Sequence, residues 1–125
     1  MPIVATGYER WAGTVAGNGH CVAYVREAAG APPTSHWRQG APVRDHGSIA
    51  PGTAIATFHS NGRYGNFTDG RSHAAIYVRQ TSQGIYAFDQ WVGHPVAERL
   101  INFRQGRGDM VNDGDQFHVI ELEET

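Results

Sequence analysis

Sixteen glycines in 125 residues cut this chain into short segments with no repeating period, which gives no support to a solenoid or propeller and makes short strands and loops the expected majority. The clearest helix signal comes early. Asn18-Gly19-His20 supplies an N-cap, Cys21 to Ala29 follow, and Gly30 with Pro32-Pro33 stops the segment. Val22, Val25, Ala28 and Ala29 recur at helical spacing as one apolar stripe. Cys21 then falls in the first helical turn. The stretch 31–51, with four prolines, reads as loop. Strands are expected at 53–58, 73–79, 84–90, 96–103 and 116–122 from their β-branched and aromatic content, with a hairpin turn over 80–84 and a turn at 112–115. The sum is α+β, one domain over 1–125, with the early helix packed on an antiparallel sheet of about five strands.

Charge and rare residues narrow the function classes. A formal net charge of −2 with interspersed Arg and acids lacks the basic field that nucleic-acid binding needs. The chain has no Lys, so a P-loop lysine, a Schiff base and a pyridoxal-phosphate attachment site are excluded. A single cysteine excludes an intrachain disulfide, a cysteine-rich zinc site and an iron–sulfur cluster. The seven histidines show neither i, i+4 nor His-x-His spacing, so no metal and no cofactor is expected. The 109–120 stretch fails as a calcium loop because Val111 and Ile120 stand at ligand positions. Asn66-Phe67-Thr68 matches a glycosylation acceptor at chance frequency, and Arg107-Gly108-Asp109 reads as surface loop. The first residues carry neither a basic nor an apolar signal region, and no run approaches the roughly 18 apolar residues of a membrane span. Synthesis in the cytoplasm without a signal peptide is expected, with any export left to a machine that reads none.

The chemistry points to Cys21. A lone cysteine is ordinarily a small buried hydrophobe, but unpaired N–H groups and the dipole at a helix start favour the reactive thiolate. A thiol nucleophile needs a base, and that base needs a polar group to orient it. His73 opens the apolar strand Ser72 to Val78, and the next strand ends in Asp89-Gln90-Trp91. With the hairpin turn near Gln80 to Ser82, facing positions add to about 162, which sets Asp89 beside His73 on one face. Of the seven histidines, His73 alone opens a strand downstream of Cys21 in this order.

Gly19-His20-Cys21-Val22-Ala23-Tyr24-Val25 resembles the nucleophile helix of CHAP and NlpC-type amidases. Arg71 to Val78 resembles their histidine strand, and Gly84 to Trp91 the strand bearing the third residue. Thr34 to Gly40 and Pro95 to Arg99 are similar to small members that include amidases delivered by type VI secretion. The resemblance runs over about residues 8–103 and implies a papain-like cysteine hydrolase that cleaves amide bonds in the peptide stems of peptidoglycan. It implies Cys21 as nucleophile, His73 as base and then acid, and Asp89 as orienter. The chain departs from the commoner pattern in two places. His20 stands where related helices often have Gln, leaving Asn18 or Tyr8 beside the Cys21 N–H as oxyanion donors. Asp89-Gln90 stands where many relatives carry Glu-Asn, leaving Asp89 and Gln90 as alternatives for holding His73. Trp91 and Trp37 are candidates to line the substrate groove, against the commoner role of tryptophan in packing.

A toxin of this kind implies an immunity protein in the producing cell and an access route to the periplasm of a target bacterium. A monomer is expected. Two other functions compete: a papain-like deamidase or transferase acting on protein glutamine, and a non-catalytic binding module with a relic triad.

Overall fold

The computed structural model describes residues 2–65, 67 and 70–122. The fold is α+β. The helix α1, Cys21–Ala29, is followed by six strands: β1 Trp37–Pro42, β2 Ala54–Thr57, β3 Ala74–Gln80, β4 Gly84–Trp91, β5 His94–Asn102 and β6 Phe117–Leu122. They form one sheet in the order β1-β6-β2-β3-β4-β5, every pair antiparallel.

Helix α1 forms where the cap and apolar stripe place it. His20 is its extended N-cap, and Gly30 closes it at φ 66°, a left-handed conformation that glycine adopts without a Cβ penalty. The N–H groups of Gly30 and Ala31 then share the Arg26 carbonyl, which satisfies an otherwise orphaned helix end. Tyr24 and Val25 are fully buried, and Val22, Ala28 and Ala29 pack beside them.

The central strands are buried on both faces, because each face has its own cover. Ala74 and Ile76 join the core under α1, together with Ala5, Ala54 and Ala56. Ala75 and Tyr77 join Ile55, Ile85, Ala87 and Phe117 on the opposite side, closed over by Val43, Ile49 and Phe103. Alternation along one strand thus feeds two cores.

Three expectations are corrected. The stretch 31–51 is not all loop, since Trp37–Pro42 is an edge strand paired with β6, which makes six strands instead of about five. Its breakers hid it, yet each has a place. A Cβ at Gly40 would stand 2.6 Å from the Val119 carbonyl oxygen, and Pro42 ends an edge strand, where a missing N–H is tolerated. Trp37, read as a possible groove residue, is fully buried against Tyr64. The β3–β4 register also differs from the estimate. Ile76 faces Phe88 and Tyr77 faces Ala87, with a bulge between Tyr77 and Arg79. That is a slip of two residues, which preserves side-chain parity and keeps His73 and Asp89 on the same face. The glycosylation-like Asn66 and Thr68 lie outside the described residues.

Candidate active site

The site lies at one end of the sheet, where the start of α1 meets the residue preceding β3. His73 is positioned through its backbone. Thr57 Oγ1 accepts its N–H at 3.0 Å and donates to the Arg71 carbonyl at 3.2 Å, while the Thr57 N–H donates to the His73 carbonyl at 3.0 Å. This fully buried threonine has no sequence signature.

From that anchor the imidazole spans two partners. Its Nε2 lies 2.7 Å from Asp89 Oδ2, and the ring also hydrogen-bonds the Cys21 thiol. With Nε2 committed to Asp89, Nδ1 is the nitrogen that serves the sulfur. Asp89 and not Gln90 therefore holds His73, and the contact runs diagonally across the hairpin. Gln90 points to the α1 side. Its amide donates to the Ala16 and His20 carbonyls at 2.9 and 2.8 Å and accepts the Ala16 N–H at 2.9 Å. Fully buried, it clamps the turn that leads into Cys21 and does not line the cleft onto which Cys21 and His73 open.

The electrostatics of the pair follow from these contacts. Burial pushes the Cys21 thiol up, but the His73 hydrogen bond and charge, the Ala74 N–H and the Tyr64 hydroxyl bring it below the usual thiol range. Burial opposes charge on His73, yet hydrogen bonds to Asp89 and Cys21 and their negative charges push its pKa up to about 9. The arrangement favours a thiolate–imidazolium pair. Burial and the neighbouring Cys21 raise Tyr64 and keep it a phenol, so its hydroxyl, 3.7 Å from Cys21 Sγ, is a donor to the sulfur.

The pair opens onto a cleft of about 470 Å³ whose rim includes Phe67, Trp91 and Val92. Trp91 is 39% exposed and stacks on His94 at 4.0 Å, so it is placed to meet a ligand. Asn18 is not in this cleft. Its Oδ1 caps the His20 N–H at 3.1 Å, and it borders a separate groove with Arg26 and Glu27. Tyr8 is also elsewhere, packed on Phe88. Besides Thr57, two neighbours of the site escaped the sequence reading. Tyr64 comes from the loop between β2 and β3, and Arg99 on β5 donates through Nε to Asp89 Oδ2 at 2.6 Å. Among the described residues no cluster of His, Cys, Asp and Glu could hold a metal.

Comparison with known proteins places this site in context. A family profile described as "Domesticated amidase effector 2" matches residues 4–120. A protein of that name from Ixodes scapularis is 39% identical over 107 residues, 82% of this chain and 70% of the relative. A "Type VI secretion amidase effector 2 protein" from Salmonella typhi is 43% identical over 76 residues, 60% of this chain and 56% of the relative. The solved structure of a "Type 6 secretion amidase effector 2 (Tae2)" superposes with a TM-score of 0.82 at 30% identity, covering 97% of this chain and 95% of that one.

Proposed function

The chain belongs to the domesticated amidase effector 2 family, and from that premise we propose that it is a papain-like cysteine amidohydrolase cutting an amide bond in peptidoglycan stem peptides. The observation that carries the chemistry is the chain of contacts from Cys21 through His73 to Asp89 at the floor of an open cleft. Family membership supplies the amide.

In this reading the Cys21 thiolate attacks the carbonyl carbon, and the charge moves from sulfur to the carbonyl oxygen. The Cys21 N–H at the start of α1 and the Tyr64 hydroxyl stabilise that oxyanion, since Tyr64 loses its thiolate partner as the C–S bond forms. His73 gives its Nδ1 proton to the leaving amine, and the C–N bond breaks. Neutral His73 then takes a proton from water, hydroxide adds to the thioester carbonyl, and the thiolate leaves. Asp89 fixes the ring through Nε2 in both halves. Trp91 and Phe67 line the substrate's path.

The reading extends to deployment. The protein acts in the periplasm of a target bacterium, and an immunity protein in the producer occludes the cleft. Incubating purified sacculi with wild type and with Cys21→Ala tests the core claim. Soluble muropeptide fragments are expected from the first and none above background from the second. Equal release by both removes Cys21 from the chemistry, and a one-dalton gain on a protein glutamine without release points instead to a deamidase.

A further inference from the structure

One oxygen in this site serves two donors. Asp89 Oδ2 receives His73 Nε2 at 2.7 Å and Arg99 Nε at 2.6 Å, and Asp89 is 2% exposed. A carboxylate removed from water is costly unless its charge stays paired and hydrogen-bonded. His73 meets that need only part of the time. It is an imidazolium while Cys21 is a thiolate, but it is neutral once its proton has gone to the leaving amine. Arg99 has no such cycle, because a guanidinium keeps its charge at any working pH.

The rest of the Arg99 head group is engaged as well. Nη2 donates to the Val111 carbonyl at 3.2 Å, and Nη1 lies 3.5 Å from Asn112 Oδ1. Its Cζ stands 5.2 Å from the Trp91 ring centroid. Each guanidinium nitrogen thus has a protein partner, and Arg99, itself part of the cleft lining and 24% exposed, is held in place at the edge of the substrate path. Val111 and Asn112 belong to the 3-10 turn Met110–Asn112, which forms a wall of the cleft. Arg99 therefore links the buried carboxylate to that wall.

We propose that Arg99 is a positioning residue for amide cleavage: it holds the Asp89 carboxylate against His73 Nε2 throughout the cycle, in the resting ion pair as well as in the half in which His73 is neutral. The proposal rests on Cys21, His73 and Asp89 acting as the triad. Without Arg99 the buried carboxylate keeps one intermittent cationic partner, and its oxygen is free to turn away from the ring. The imidazole then loses its fixed orientation, and the thiolate loses its counter-ion.

The test pairs Arg99→Gln with Arg99→Lys, in the wild-type protein and in Asp89→Asn. Two rates are read: alkylation of Cys21 by iodoacetamide at neutral pH, and turnover of purified muropeptides. Arg99→Gln is expected to slow alkylation and lower kcat by about tenfold or more while KM moves less than about threefold, the pattern of misplacement without lost binding. Arg99→Lys, which keeps a cation near Asp89, restores most of the alkylation rate. In Asp89→Asn the added Arg99→Gln slows nothing further, because the group through which Arg99 acts has already gone. An Arg99→Gln protein that alkylates at the wild-type rate overturns the proposal, as does an equal slowing in both backgrounds. If Arg99→Gln alone does not fold, the double variant, which leaves no uncompensated carboxylate, decides by comparison with Asp89→Asn: equal rates support the proposal and further slowing overturns it. Alkylation needs no substrate. The expected pattern without muropeptide release would refute the wall-peptide reading and leave Arg99 in place, whereas intact release with an indifferent Arg99 refutes only the latter.

Discussion

At Cys21 two opposing effects meet, and the contacts decide between them. Burial alone would raise the thiol, but the His73 hydrogen bond and charge bring it below its usual range, while His73 rises to about 9. The sign of the pH dependence follows. Acidification protonates the thiolate and removes the nucleophile; raising pH through about 9 strips the imidazolium and removes the general acid. We expect a bell-shaped kcat/KM profile with its alkaline limb near 9. Alkylation needs only the thiolate, so it should begin below the ordinary thiol range of about 8.5 and show no fall on that limb. An onset at that ordinary value would refute the ion pair. Tyr64 makes a second prediction at this scale. Its ring is held by Trp37 and Phe58, so Tyr64→Phe keeps the packing and removes one donor. The expected loss is on the order of 10²-fold in kcat with little change in melting temperature, and turnover within about twofold of wild type would exclude Tyr64 from the oxyanion site. The convergence of Cys21, His73 and Asp89 was legible because a helix start, a strand start and the facing end of a hairpin are local signals. Tyr64, Thr57 and Arg99 were not: nothing local assigns Tyr64 or Thr57 to the site, and Arg99, though within the family-like stretch Pro95 to Arg99, reaches Asp89 only through the pairing of β4 with β5.

The elements carrying these residues are fixed by a few long-range polar contacts. The turn before α1 holds glycines at φ 51° and 87°, Gly17 and Gly19, and would be slack without Gln90. That side chain, 74 residues away, bridges both polar atoms of the Ala16 backbone and the His20 carbonyl. Gln90→Leu keeps volume but orphans the buried Ala16 N–H, while the Ala16 and His20 carbonyls keep the Gly19 and Ala23 N–H groups, a loss of about 1–3 kcal/mol for the unsatisfied donor. A lowered melting temperature should accompany slower Cys21 alkylation, because the start of α1 and the thiol move together. A destabilised protein with unchanged alkylation would show that the turn holds Cys21 unaided. Helix α1 was readable from its cap, stripe and glycine stop, since those signals are local. Strand β1 was not, because its Gly40 and Pro42 read as breakers and its pairing with β6 spans most of the chain. The hairpin register differs by two because the turn lies further along the chain than estimated, with Gln80 already facing Ile85, and a bulge beside Val78 then takes back one residue; no composition reveals either. The slip did not move His73 off the Asp89 face, as parity survives an even shift.

On the scale of the whole molecule, the site sits where one end of a two-sided sheet is left open, rimmed by three of the larger exposed apolar side chains, Phe67, Trp91 and Val92. Its proposed substrate lies beyond the inner membrane, and no helix among the described residues is long and apolar enough to cross one. Delivery into the target periplasm is the proposed route. Inside a reducing cytoplasm the enzyme meets no cross-linked wall; in an oxidising periplasm a lone cysteine has no partner within its own chain with which to mispair. Expression in a Gram-negative host separates these compartments. The bare chain should leave growth unchanged, the same chain behind a cleavable secretion signal should cause lysis, and Cys21→Ala behind that signal should be harmless at equal abundance. Lysis by the secreted Ala variant would mean that toxicity comes from membrane damage or mislocalisation. Toxicity of the bare wild-type chain with no wall defect would move the substrate into the cytoplasm and favour a protein glutamine over a stem peptide.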